Sequence, residues 1–213
     1  ELSAMLSYCQ EPKLQELEAG FRSSLTAKNP KDEYFLREKV RGYSEAADFS
    51  QKEKIVSDIS KTYTDNEYAS YLQSSLVDEY VKNGKEADAA KYLRASANFI
   101  DSSIESYFAS QLIEKGINLK TALDFAKSAV EQKEKEIKNG LKSKPANLTK
   151  NEWIQQQNQE LGRMLGEYGK ALMMSGKNEE AIPVLEKSIS LIGTENGKIN
   201  ETYSKALLET GDN

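Results

Sequence analysis

The sequence predicts an all-α protein of antiparallel helical hairpins, and three observations carry that expectation. Apolar residues recur at helical spacing along almost the whole chain. Helix-start signatures stand in phase with those stripes. Near the C-terminus a hairpin pattern runs through Leu165, Tyr168, Gly169, Leu172, Gly176, Ala181 and Leu185. It begins again with Tyr203, Ser204, Leu207 and Gly211, so that Gly176 and Gly211 stand 35 residues apart. Only four prolines and twelve glycines leave little room for the many turns of a β-rich fold.

In chain order, Leu14, Leu17, Phe21 and Leu25 form the first stripe. Asn29-Pro30 then reads as a cap with proline at the first helical position. Phe35, Leu36, Val40, Tyr43 and Ala47 make the next stripe. Ser50 with Glu53, Thr64 with Glu67 and Thr149 with Glu152 have the capping-box spacing, in which the hydroxyl satisfies an orphan amide and the glutamate reaches back to the cap. Leu76, Val77, Tyr80, Gly84, Ala89, Leu93 and Ser96 give one loose hairpin copy. Phe108, Ala109, Leu112, Gly116, Ala122, Phe125, Ala126 and Ala129 give another, with one extra residue in the turn Gly116-Ile117-Asn118-Leu119.

Gly116 and Gly176 are 60 residues apart, and the surplus falls in three pieces: a long helix over about 119 to 139, a loop from Gly140 to Leu148, and an overlong helix from near Asn151. Residues 1–65 therefore read as helical hairpins without a repeat signature. Residues 66–213 read as repeats, interrupted by an irregular segment at about 140–150. The chain starts at Glu1 without methionine and stops at the turn Gly211-Asp212-Asn213, which suggests a piece of a longer protein cut within a hairpin.

The copies share a packing logic. A small residue (Ala109, Gly169, Ser204) lets the two helices of a hairpin approach, and a second (Ala89, Ala122, Ala181) does so from the facing helix. The turn glycines Gly84, Gly116, Gly176 and Gly211 suit a left-handed backbone that costs other residues energy.

Composition narrows the function. Charged residues make up 30% and mean hydropathy is -0.68, which implies helices with one apolar stripe and a wide wet face. Net charge is -5 and no basic patch stands out, which argues against nucleic acid. Histidine is absent, which removes Ser-His-Asp and Cys-His nucleophiles and most zinc sites. Cys9 is alone, so no internal disulfide is expected and no catalytic role is assigned to it. No apolar run is long enough to span a membrane.

Gly193 to Lys198 superficially suggests a phosphate-binding loop. It has three residues between glycines rather than four, Ile199 in place of a magnesium-binding hydroxyl, and no preceding strand, so it reads as the loop between repeats. Gly162, Gly166 and Gly169 miss the dinucleotide spacing and are better explained by close helix packing. Carboxylate pairs such as Glu179-Glu180 suit helix starts, and none is singled out for catalysis. Trp153 either staples the loop before it or stands exposed as an anchor. No cofactor, metal or catalytic residue is implied.

From Asn66 onward, these residues resemble the tetratricopeptide repeat, whose hairpins recur about every 34 residues and stack because none buries its apolar face alone. The chain departs from the family pattern at Leu165 (its tryptophan position), Ser188 (its late alanine) and Gly193 (its terminal proline). The resemblance implies a right-handed α-α superhelix and a non-catalytic scaffold, whose first helices line a groove for a protein, a peptide or another domain of the same chain. Carried over copy by copy, the groove positions are Arg163, Lys170 and Met173, then Lys198, Lys205 and Leu208, with Ser103, Ser110, Ile113, Tyr71, Asp78 and Val81 in the looser copies. The lysine-arginine cluster beside a methionine suits an acidic or C-terminal peptide group. The family's carboxylate clamp needs asparagines where this chain has Glu167 and Thr202.

A shorter stretch, Gly116-Ile117-Asn118-Leu119 followed by Ala122, Ala126 and Ala129, is similar to helical regions that precede the redox domain in exported bacterial thioredoxin-like proteins. It implies an alternative in which this chain is the accessory region of a thiol-disulfide oxidoreductase. The compartment is not fixed by the residues, and this second resemblance favours a bacterial periplasm or cell envelope over the cytoplasm.

Overall fold

The computed structural model describes residues 15–63, 67–97, 100–140, 144–194 and 196–211. Among the described residues the chain is all-helical, with ten α-helices and no strand. They are α1 (Gln15–Lys28), α2 (Glu33–Glu45), α3 (Phe49–Thr62), α4 (Glu67–Lys82) and α5 (Glu86–Ala95), followed by α6 (Ser102–Lys115), α7 (Leu119–Asn139), α8 (Lys150–Met174), α9 (Asn178–Ile192) and α10 (Gly197–Thr210). Two compact units divide the chain at Glu1–Leu76 and Val77–Asn213. Cys9 and Thr64 lie outside the described residues.

In the first unit, Leu25, Leu36, Tyr43, Val56, Ile59, Leu72 and Leu76 are buried. Two helix starts differ from the sequence expectation. Pro30 sits in a turn, and α2 is capped by Asp32, whose carboxylate accepts from the Tyr34 amide at 3.0 Å. A carboxylate is the better acceptor for orphan amides at the positive end of a helix. Ser50 is inside α3, which is capped two residues earlier by Asp48, accepting from Gln51 N at 2.9 Å. The Gln51 Oε1 accepts from the Ala47 amide at 3.2 Å, so the cap and its return bond stand two residues upstream of the motif read from the sequence, with the return bond on the residue before the cap. On the surface, Arg22 joins α1 to α2 through Glu38 at 2.7 Å.

In the second unit, Phe108 of α6 meets Phe125 of α7 edge-on with centroids 5.1 Å apart, and Ala109 and Ala122 are fully buried. The turn glycines Gly84, Gly116, Gly176 and Gly211 have φ of +66°, +65°, +73° and +78°. Thr149 and Glu152 form the expected capping box at the start of α8. Trp153 is the staple: it is buried against Gly140, where an added Cβ would lie 2.3 Å from the indole.

The three glycines of α8 face its neighbours. An added Cβ at Gly169 would sit 2.5 Å from Leu185 of α9, at Gly162 2.4 Å from Ile192, and at Gly166 2.5 Å from Ile199 of α10. Gly162 and Gly169 advance along α8 as Ile192 and Leu185 recede along α9, so this hairpin is antiparallel. Ser204 is exposed, contrary to the packing role read for it, and Ala206 is the buried small residue of α10. Gly169 packs on the helix that follows its own, and no helix follows α10 among the described residues.

Candidate binding cleft

Gly162 and Gly166 determine where the cleft lies. With no side chains between them and Ile192 or Ile199, the end of α9 and the start of α10 come against α8. Arg163 follows Gly162, so it emerges roughly 100° further round the helix, beside the packed strip. There it lines an open cleft of about 580 Å³ with Gln159, Ile192, Asn196, Gly197 and Lys198. Asn196 caps α10 by accepting from Ile199 N at 3.3 Å, which fixes Lys198 in the first turn of the helix.

Arg163 and Lys198 are therefore brought together from two helices. Both side chains are exposed, and neither forms a hydrogen bond or ion pair with the described residues. The cleft lining contains two cations and two carboxamides, with no carboxylate.

The other sequence-derived groove residues are placed differently. Lys170 is half-buried on α8, one turn beyond Glu167. Burial pushes the Glu167 carboxyl above the ordinary carboxylate value, while Lys170 and Lys198 pull it down and Glu114 of α6 pushes it up. Its Oε2 is buried without a hydrogen-bond partner among the described residues. Met173 packs partly against the cluster of Leu172, Ala181, Leu185 and Ala206, so much of its surface serves the core. Lys205 pairs with Glu201 at 2.6 Å. Leu208 is 68% exposed on α10 and does not line the cleft.

In the looser copies, Ile113 and Val81 are core residues at 1% and 3% exposure, which removes them from a groove surface. Asp78 accepts from the Tyr107 hydroxyl at 2.6 Å, and burial with this bond pushes that phenol up to about 12. Ser110 is turned to the Tyr107 carbonyl at 2.9 Å, Ser103 is tied to Asp101, and Tyr71 is exposed.

Gln159, Ile192, Asn196 and Gly197 were missed by the sequence reading. A signal existed for one of them: Asn196 is a good N-cap residue three positions before Ile199, which begins the stripe Ile199, Tyr203, Ala206. Reading Gly193 to Lys198 as one loop concealed it.

Among the described residues, no three acidic or sulfur ligands converge as a metal site, and no helix is long and apolar enough to cross a membrane. No family model matches this chain, and no curated protein or solved structure matches it.

Proposed function

We propose that this chain is a non-catalytic helical scaffold that offers the α8–α10 face of its second unit to a protein partner or to another domain of its own chain. One observation carries the reading. Arg163 and Lys198 occupy equivalent positions one 35-residue period apart, and both line the same cleft as cations that form no ion pair among the described residues. That meeting is what tetratricopeptide-like stacking would produce, and we extend it to a right-handed superhelix with α6, α8 and α10 along one side. The left-handed turn glycines and the smooth glycine strip of α8 support the same arrangement. A surface built on packed helices is preformed, so little ordering cost would oppose binding.

A photoreactive residue placed at Gln159, which is exposed in the cleft lining and leaves both cations in place, tests this in the full chain in cells that make the protein. Cross-linking to a discrete partner is expected from Gln159 and not from Lys187, which lies on α9 and is paired with Glu134. Equal labelling from both positions, or none from Gln159, would remove the reading.

A further inference from the structure

We infer that the segment bound on this face is an extended acidic peptide, with one carboxylate held between Arg163 and Lys198 and a second at Lys170. The inference rests on the scaffold reading above and specifies the chemistry of its partner.

Charge complementarity carries the first contact. Every polar side chain in the cleft lining can donate, and its two cations are in no hydrogen bond or ion pair among the described residues, Lys198 sensing Glu167 only at longer range. An arginine and a lysine converging from separate helices suit a carboxylate, because the guanidinium offers a planar fork and the ammonium a point charge. The Asn196 Oδ1 is engaged in capping, which leaves its amide nitrogen as a donor.

Spacing carries the second contact. Arg163 and Lys170 are seven residues apart on one helix, a rise of about 10.5 Å. Three residues of extended chain cover about 10 Å. Acids three positions apart on an extended peptide therefore match the two cations. Glu167 stands between Arg163 and Lys170, so a carboxylate between the two anchors would be repelled, and the intervening residues are expected to be neutral. Met173 lies about 4.5 Å further along the helix, where the part of its side chain left outside the core suits an apolar residue after the second acid. The recognised pattern is acid, two neutral residues, acid, apolar residue. A lone small anion would use only the first anchor.

The test is fluorescence anisotropy with the full chain. The probes are fluorescein-labelled Gly-Glu-Gly-Gly-Glu-Leu-Gly, the same residues in reverse order, and both with glutamine in place of glutamate. One acidic probe is expected to bind, with its glutamine form about tenfold or more weaker. Arg163→Glu and Lys198→Glu are each expected to weaken it by a similar factor, with thermal melts unchanged because both side chains are exposed. Lys91→Glu, an exposed position on α5, makes the same change in net charge and should leave binding intact.

If neither acidic probe binds at roughly 1 mM, or if the reversals at Arg163 and Lys198 do no more than Lys91→Glu, the inference is overturned. Equal binding of the glutamine probes, still reduced by substitution at Lys170 or Met173, would overturn the acidic preference and leave the scaffold face standing. Failure of the scaffold reading itself appears separately, as absence of cross-linking from Gln159, which lines the cleft without anchoring the peptide.

Discussion

The Ser188 hydroxyl, fully buried on α9, donates a 2.6 Å hydrogen bond to the Gly162 carbonyl on α8. A side chain as short as serine reaches the backbone of the facing helix only when the two helices are in close contact. That approach depends on glycine: a Cβ on Gly162 would meet not only Ile192 but also the Ser188 carbonyl oxygen at 3.3 Å, and one on Gly166 would meet Ile199 and the Ser188 hydroxyl. The bond and the glycines are thus one device, and the same approach forms a wall of the cleft.

Replacing Gly162 with alanine sets two effects against each other. Alanine is favoured in a helix interior by about 1 kcal/mol. Its methyl would lie 2.4 Å from Ile192 and close to backbone that cannot swing aside, and overpacking of this kind costs about 1–3 kcal/mol. The clash should win, giving a lower melting temperature for Gly162→Ala. Gly20→Ala in α1 has open space around it and should instead gain up to about 1 kcal/mol. Ser188→Ala should lose about 1 kcal/mol, the net value of one buried hydrogen bond. Urea titration of the three variants checks all these signs, and a stabilised Gly162→Ala would contradict the packing described.

The helices were legible in the sequence because apolar period and turn glycines are local signals. The long helix over 119 to 139 matches α7 at both ends, and the four turn glycines have the positive φ expected of them. What failed were details decided by competition between neighbours. Asp32 and Asp48 cap the helices in place of Asn29 and Ser50, and their negative charge suits the positive end of a helix. Ser204 follows the repeat register in sequence, yet burial depends on a facing helix, and α10 has none on that side among the described residues. The cleft was half legible: Arg163 and Lys198 were found by period, Gln159 is the residue one turn before Arg163 on α8, and Ile192 joins them only through the crossing of α8 with the end of α9.

Trp153 fixes the loop between α7 and α8 by covering Gly140. Trp153→Ala should cost about 3–5 kcal/mol, in the range for removing a large buried aromatic. Gly140→Ala should also destabilise, since its methyl would overlap the ring. Tryptophan fluorescence offers a direct check, because Trp153 is the sole tryptophan. Its emission should be blue-shifted in the native chain and move to longer wavelength in Gly140→Ala if the indole is displaced.

Lys133 is a buried cation, 5% exposed, that ties α7 to α8 through Glu160 and also lies 3.6 Å from Glu136. Glu136 in turn accepts from Ser102 of α6 at 3.2 Å. Lys133→Met keeps the aliphatic stem and removes the charge, leaving the two carboxylates without their shared partner. Both remain in part exposed to water, so the loss should be roughly 1–3 kcal/mol rather than that of a fully buried pair. Adding Glu160→Gln should recover part of it, and a double-mutant cycle in urea measures the coupling.

Glu105 on α6 is 6% exposed, and its Oε2 has no hydrogen-bond partner among the described residues. Burial pushes this carboxyl above its ordinary value of 4.5, and a hydrogen bond with Ser128 opposes the shift only in part. The folded state therefore holds this proton more tightly than the unfolded state does. Below 4.5 both states are protonated and the group is neutral in its effect on stability. As pH rises from 4.5 through the raised folded-state value, the unfolded chain ionises first and gains relative to the native one, so stability falls across that interval. Above it the penalty is constant. Glu105→Gln retains the shape and cannot ionise, so it should be more stable than the parent at neutral pH and the difference should vanish in acid. Thermal melts from about pH 4 to about pH 8, taken as the difference between variant and parent, isolate this group from the other carboxylates. A difference that stays flat over that range would mean Glu105 is as well solvated in the native protein as in the unfolded chain, and its burial in α6 would have to be given up.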